Sequence, residues 1–228
     1  MVLNLLIGLP GDRPGGLLLS LIYFFASGAA ALALGCVYAV LCVALPRVSL
    51  LFQAASAVLR GLPLILLVFL FAHVPWFVVG VAGLIALTVY SFGHVGEVLR
   101  SFLAAYPTAA AEQARLMGMS SIRDWLQLRV PWTLWRSWTA LVTHWVSLLK
   151  DTGALVILGI GELTTTSKVL SEVSPSFEQW ATTLVVAACL YLGATLALIQ
   201  FVPFVVGKLF RILQQEQGTN SKPAERYA

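Results

Sequence analysis

Charged side chains are scarce in this 228-residue chain: Asp, Glu, Lys and Arg make up 11% of it, against 59% apolar residues. An ordinary soluble domain carries about 25% charged residues, so that class is excluded. Cysteine is scarce too, and Cys36, Cys42 and Cys189 all lie in apolar runs. They read as small core residues, with neither a disulfide framework nor metal-ligand spacing. Motifs for chemistry are missing as well: the chain holds no Gly-x-Ser-x-Gly, no His-Glu-x-x-His and no Walker A run. His73, His94 and His144 lie on different segments without acidic partners at metal-site spacing. A membrane-embedded enzyme would need such a cluster, and ATP hydrolysis would need a phosphate loop. No catalytic residue, no metal and no cofactor of its own is therefore assigned to this chain. The net charge of +4 forms no basic patch with interleaved aromatics, so nucleic acid is not an expected partner. No cleavable signal peptide is expected either, because an early basic region is missing and Asp12 and Arg13 precede the first long apolar run.

What the chain has in quantity is long uncharged runs. A membrane helix needs ~20 mostly apolar residues, and five segments meet that: about Leu17 to Leu45, Leu50 to Ala72, Phe77 to Leu99, Thr133 to Ile160 and Phe177 to Val206. The fold class is thus an all-α integral membrane protein with about five spans. Residues 1–16 form a short leading segment with "PGDRPGG" as a turn, residues 17–207 the membrane domain, and residues 208–228 a polar tail expected to be disordered beyond its first turns. "RGLP", Arg60 to Pro63, predicts a kink in the second span. Thr133 to Ile160 as one straight helix would be roughly 42 Å long, too long for a ~30 Å core, so a tilt or a break near Lys150–Gly153 is expected. "GELTTTSKVLSEVSP" reads as a short polar helix outside the membrane.

Basic residues orient the chain. With the segment between the third and fourth spans in the cytoplasm, Arg47, Arg100, Arg115, Arg123, Arg129, Arg136, Lys208, Arg211, Lys222 and Arg226 share that side, leaving Arg13 and Lys168 outside. The asymmetry predicts an N-out, C-in arrangement.

The segment 107–131 is the most polar stretch between two spans and reads as helix, turn, helix. Thr108 is placed to cap the first helix, with Glu112 in its first turn. Gly118 suits a left-handed helix end. "SIRD", Ser121 to Asp124, fits a capping box, and Pro131 ends the second helix or starts the next span. Ala109, Ala110, Ala111 and Ala114 make a small-residue surface that another protein could approach closely.

Glu112, Ala114, Gly118 and Pro131 stand at the spacing of the EAA signature of ABC importer membrane subunits, with Trp125 and Leu128 at its apolar positions. "RGLP", "GEVLR", "SLLKDT" and "GIGEL" are similar, in the right order, to runs of the polar amino acid (His/Glu/Gln/Arg/opine) permeases. The chain therefore resembles a permease subunit of that family along nearly its whole length. The resemblance implies a type I ABC importer transmembrane domain in the bacterial inner membrane. It implies that Ala111, Glu112, Ala114, Arg115, Gly118 and Met119 form a coupling helix docking on a cytoplasmic ATPase, which binds ATP and Mg. A second permease copy or paralogue, a periplasmic or lipid-anchored solute-binding protein and an amino acid substrate are implied as further partners, with membrane lipid around the spans. Glu112 and Arg115 could pair with each other or with the ATPase.

Ionisable residues inside spans are functional suspects, here Arg60, Glu97, Arg100, His144, Lys150 and Asp151. Glu97 and Arg100 read first as a self-satisfied pair. Lys150 and Asp151, at the expected break, could take the carboxylate and ammonium of a free amino acid with Thr152 assisting, or could be a solvated pair at the outer interface. Trp125, Trp132, Trp135, Trp138 and Trp145 read as interfacial anchors and packing. Some positions depart from the family pattern: Leu62 replaces Thr, Leu67 replaces Gln, Thr143–His144 replace Asn-Glu, and Ala109–Ala110 replace Gly-Gln. Either a bulkier or less polar ligand, or a heterodimer whose other half carries the site, accounts for these changes. The competing readings are an ion-coupled small-solute carrier and a mainly structural permease half.

Overall fold

The computed structural model describes the backbone of residues 1–11 and 14–220, and side chains through Phe201. Asp12, Arg13, Lys222 and Arg226 lie outside the described residues, as do the side chains of Lys208 and Arg211.

The apolar runs form helices long enough to cross a bilayer: α2 (Gly16–Ala44), α5 (Val79–Ala104), the continuous helical element Ser121–Leu158, and the first part of α10 up to Phe201. α3 (Pro46–Gly61) and α4 (Leu64–Ala72) meet at a bend of 95° and together supply a fifth crossing when counted as one span. The kink expected at "RGLP" is here. Leu62 takes an extended conformation, as the residue before a proline must, because the Pro63 ring would clash with a helical one.

The central pair is α2 on α5. Lipid tails are as apolar as leucine, so helices in a bilayer associate by close packing rather than by the hydrophobic effect. Accordingly Gly28, Ala31, Gly35 and Ala39 line the buried face of α2, and Ala82, Ala86, Gly93 and Gly96 that of α5. The fit is tight: a Cβ on Gly96 would come within 2.9 Å of the Tyr38 ring. Phe24, Leu67, Leu87, Leu148 and Leu155 form a core joining α2, α4, α5 and the fourth span.

The fourth span does not break at Lys150–Gly153. It tightens: α8 (Val130–Asp151) passes into a 3-10 helix, Thr152–Leu158, that ends at Gly159 with φ 68°. α9 (Leu163–Glu172) is the short polar helix expected there. Residues 1–16 hold more than a turn, since α1 (Val2–Ile7) buries Leu5 against Leu163 and Ala187. α10 (Phe177–Asn220) runs past the expected end of the fifth span into residues read as tail. Its face bearing Leu184, Val185, Leu192, Leu196 and Ile199 is exposed, as suits contact with lipid. Cys189 is exposed on this helix too, while Cys36 is half-buried and only Cys42 is buried. The reading of all three cysteines as core thus fails, because an apolar run in a membrane protein has a lipid face as well as a packed one.

Candidate functional site

The segment with the EAA resemblance folds as α6 (Thr108–Leu116), a tight turn, and α7 (Ser121–Arg123). Pro107, not Thr108, occupies the N-terminal cap position, and no side chain caps the helix. Proline suits this place because its missing N–H would be unpaired there in any case. The shift puts Glu112 in the second turn. The C-terminus is as expected. Gly118 has φ 72°; its N–H bonds the Arg115 carbonyl at 2.9 Å and the Met119 N–H bonds the Ala114 carbonyl at 3.0 Å. This double closure is a Schellman motif, which needs a left-handed residue at that position.

The second helix departs from expectation. Ser121 is its first residue, Ser120 caps without a side-chain bond, and no capping box forms. Asp124 instead turns inward to Arg129, at 2.8 Å from Nε and 2.7 Å from Nη2. Between these two residues the helix widens into a π-helical stretch, Asp124–Arg129, in which the Val130 N–H reaches back to the Trp125 carbonyl. The wider turn relieves the clash between Pro131 and the preceding turn. Pro131 therefore sits in the first turn of α8 without interrupting the helix, and α7 is continuous with the fourth span.

Arginine–aromatic contacts brace this junction. The Arg129 guanidinium lies 4.8 Å from the Trp125 ring centre and 5.5 Å from that of Tyr106. Tyr106 meets Trp132 edge-on at 5.3 Å, and Arg136 stands over Trp132 at 6.0 Å. Burial and the nearby Asp124 carboxylate raise the Tyr106 hydroxyl pKa above its usual value, with Arg129 partly offsetting them. This brace was missed in the sequence, where Arg129 reads only as a cytoplasmic-side charge, Trp132 as an anchor or packing residue, and Tyr106 carries no signal.

The outer surface of the segment is apolar at its tip and charged at its flanks. Leu116 is 88% exposed, Met117 75% and Ile122 72%. Among the described residues no ion pair joins Glu112 and Arg115, which are both exposed. Ala114 is buried, so it supports the helix from beneath and takes no part in the small-residue surface; Ala109 is exposed, and Ala110 and Ala111 are partly so.

The suspected path residues fall into two groups. Glu97 and Arg100 do pair, with Arg100 Nε at 3.1 and 3.0 Å from the two carboxylate oxygens. Tyr38 donates to Glu97 at 3.3 Å, and the Arg60 stem packs on Gly93 one turn away. The second group lies between α5 and α8. His94 and His144 stack with ring centres 5.3 Å apart and planes 14° from parallel. Asp151 lies within electrostatic range of His94 and Tyr90. His94 and Tyr90 are members that the sequence reading did not assign to the path. Both lie on the third span, about 50 residues before His144 on the fourth, and only the packing of α5 on α8 joins them. Lys150 is exposed and Asp151 half-buried. Thr152 is buried, with its hydroxyl donating to the Leu149 carbonyl at 2.7 Å, so its donor serves its own helix.

A helical bundle broken at Leu62–Pro63, with a polar helix-turn-helix continuous with one span, has the fold of an ABC importer transmembrane domain, and solved structures agree. An amino acid ABC transporter crystallised with histidines aligns at a TM-score of 0.71, 20% identical, over 85% of this chain and 92% of that one. The MetNI methionine ABC transporter in an inward-facing conformation aligns at 0.67, 19% identical, over the same shares of 85% and 92%.

The chain's homologues are ABC transporter permease proteins. It is 27% identical over 158 residues to the probable glutamine ABC transporter permease protein GlnP of Bacillus subtilis (strain 168), covering 67% of this chain and 72% of that protein. It is 29% identical over 115 residues to the arginine ABC transporter permease protein ArtQ of Escherichia coli (strain K12), covering 50% of this chain and 47% of that protein, so the match spans about half the arginine permease. No family model matches the chain.

Proposed function

We propose that this chain is the membrane permease subunit of an ATP-driven amino acid importer, lying N-out and C-in in a bacterial inner membrane. It works as a dimer, with itself or with a paralogous permease. ATP and Mg are held by two cytoplasmic ATPase subunits, and a periplasmic or lipid-anchored solute-binding protein delivers the amino acid. The observation that carries this reading is the polar segment itself: α6, Gly118 and α7 present an exposed apolar tip, and the π-helical stretch makes α7 continuous with the fourth span. A soluble loop has no reason to expose Leu116 and Met117 side by side. A partner that buries them gains ~1.5–3 kcal/mol for each, and movement of that partner is transmitted to α8.

Purification from native membranes in mild detergent tests the proposal. The expected companion is an ABC ATPase in amounts equal to the permeases; a chain that comes away alone while still driving ion-coupled uptake would reverse it. Replacing both Leu116 and Met117 by Ala is expected to weaken ATPase association about tenfold or more, as loss of two central apolar anchors does. Insertion of the chain should not change, since both side chains face away from the bundle. Co-purification yield and membrane yield, measured together, separate the two effects.

Asp151 belongs to the proposed path with His94, His144 and Tyr90. Asp151→Asn keeps the shape and removes the charge, and is expected to lower uptake about tenfold while complex yield stays near wild type. Unchanged affinity and rate would remove Asp151 from the path.

A further inference from the structure

Beneath the coupling segment is a cleft of about 430 Å³, which shares Arg115 and Met119 with the expected docking residues. Val43 and Ala44, the last residues of α2, form its membrane-side wall, Met119 and Trp125 add apolar surface, and Arg115, Ser121, Asp124 and Arg129 supply its polar groups. Because α2 is a span that ends at Ala44, the cleft opens at the level where the bilayer's polar headgroups begin.

Its charges are unevenly matched. Arg129 is neutralised by one oxygen of Asp124, at 2.7 Å. Arg115 has no carboxylate partner among the described residues, so the cleft carries a spare positive charge. The other Asp124 oxygen, Oδ1, is buried with no hydrogen-bond partner, and Asp124 as a whole is only 5% exposed. A buried carboxylate oxygen left unpaired is costly. The cleft thus asks for two things in one molecule: an anionic oxygen group for Arg115 and a hydrogen-bond donor for Asp124 Oδ1. Arginine and a phosphate form strong charge-assisted bonds.

We infer that this cleft is a headgroup site for a phospholipid of the leaflet that the coupling segment faces. The lipid is one whose phosphodiester carries an N–H or O–H donor, as in phosphatidylethanolamine or phosphatidylglycerol. The phosphate accepts from Arg115, and the ammonium or hydroxyl donates to Asp124 Oδ1. Acyl chains run along Val43 and Ala44 into the bilayer. The site lies between the end of α2 and the root of the coupling segment, so its occupancy links the lipid environment to the position of that segment. The inference adds to the proposed function and holds for this chain whether or not that reading stands.

Phosphatidylcholine is the discriminating probe, since it has the same phosphate but no donor. Full-length chain, delipidated in detergent, is titrated with dioctanoyl phosphatidylglycerol, dioctanoyl phosphatidylethanolamine, dioctanoyl phosphatidylcholine and glycerol phosphate, and bound molecules are counted by native mass spectrometry. The donor-bearing lipids are expected to bind at least fivefold more tightly than phosphatidylcholine. Arg115→Gln should weaken them about tenfold, while Arg123→Gln, which removes another exposed charge one helix on and outside the cleft, should stay within twofold.

Equal binding of phosphatidylcholine would overturn the assignment of Asp124, and equal losses in the two arginine variants would reduce the effect to general charge. Glycerol phosphate binding as tightly as the lipids would identify a soluble ligand instead. Repeating the titration with the cognate ATPase present decides the remaining occupant. Lipid retained in that complex supports the site, and lipid expelled by the ATPase would assign the cleft to it.

Discussion

Replacing Gly118 by Asp is expected to cut ATP-driven uptake at least tenfold while the chain still inserts and folds in the membrane. The cost is local and of two kinds. At φ 72° an L-residue meets a backbone penalty of roughly 1–2 kcal/mol, which loosens the Schellman closure holding Met119 to Ala114. Space is not the difficulty, since a Cβ there would meet nothing within 4 Å. The second cost falls on docking, because a carboxylate beside Leu116 and Met117 must be desolvated when a partner covers them. Neither cost reaches the packed bundle. Gly118→Ala separates them, as it carries the backbone penalty without the charge and should fall between wild type and the Asp variant. Uptake, ATPase co-purification and membrane yield are the three readouts. Normal uptake with normal complex yield for Gly118→Asp would remove the coupling role from this turn.

The largest loss of stability is expected at Glu162, which lies at the opposite end of α8 and its 3-10 extension from segment 107–131. Its carboxylate is fully buried. It accepts the backbone N–H groups of Thr164 and Thr165 at 2.8 Å each, closing the N-terminus of α9. It also accepts the Tyr191 hydroxyl at 3.1 Å and the Ser20 hydroxyl at 3.3 Å. One acid therefore ties α2, α9 and α10 together, next to the bond from the Gly16 N–H to the Gly161 carbonyl at 2.8 Å. Glu162→Ala removes a helix cap, about 1 kcal/mol, and leaves several buried donors unpaired at ~1–3 kcal/mol each. A loss of about 4 kcal/mol follows, or roughly 10 °C in the unfolding midpoint for a chain of this size. Glu162→Gln retains one acceptor oxygen and should lose about half as much. Thermal unfolding in detergent measures both, and a midpoint within about 2 °C of wild type for Glu162→Ala would mean that α9 is held by packing alone.

Much of this protein was legible from residue order. Apolar runs of bilayer length announce the spans, because every buried backbone group in lipid must be paired within its own helix. Pro63 announced the bend, and Gly118 the left-handed turn, since proline and glycine act on the backbone at their own position. The helix-turn-helix of segment 107–131 was legible for the same reason: its parts are neighbours in the chain.

What was misread depends on which side chain faces what. Cys189 sits in an apolar run like Cys42, yet only the packing of α10 decides that it faces outward. Asp124 fits a capping box in the sequence, but the nearby Arg129 offers a charged partner, and a charge-assisted bond outweighs a cap. His94 with His144, Arg129 with Tyr106, and Glu162 with Ser20 and Tyr191 join residues more than 20 positions apart in the chain. Sequence alone determined a bundle of spans with a polar helix-turn-helix between the third and fourth. Only the tertiary structure decided which polar groups inside that bundle meet. Helix periodicity sets the faces of one segment, but which face of another helix it meets is decided by close packing of small residues across the whole bundle.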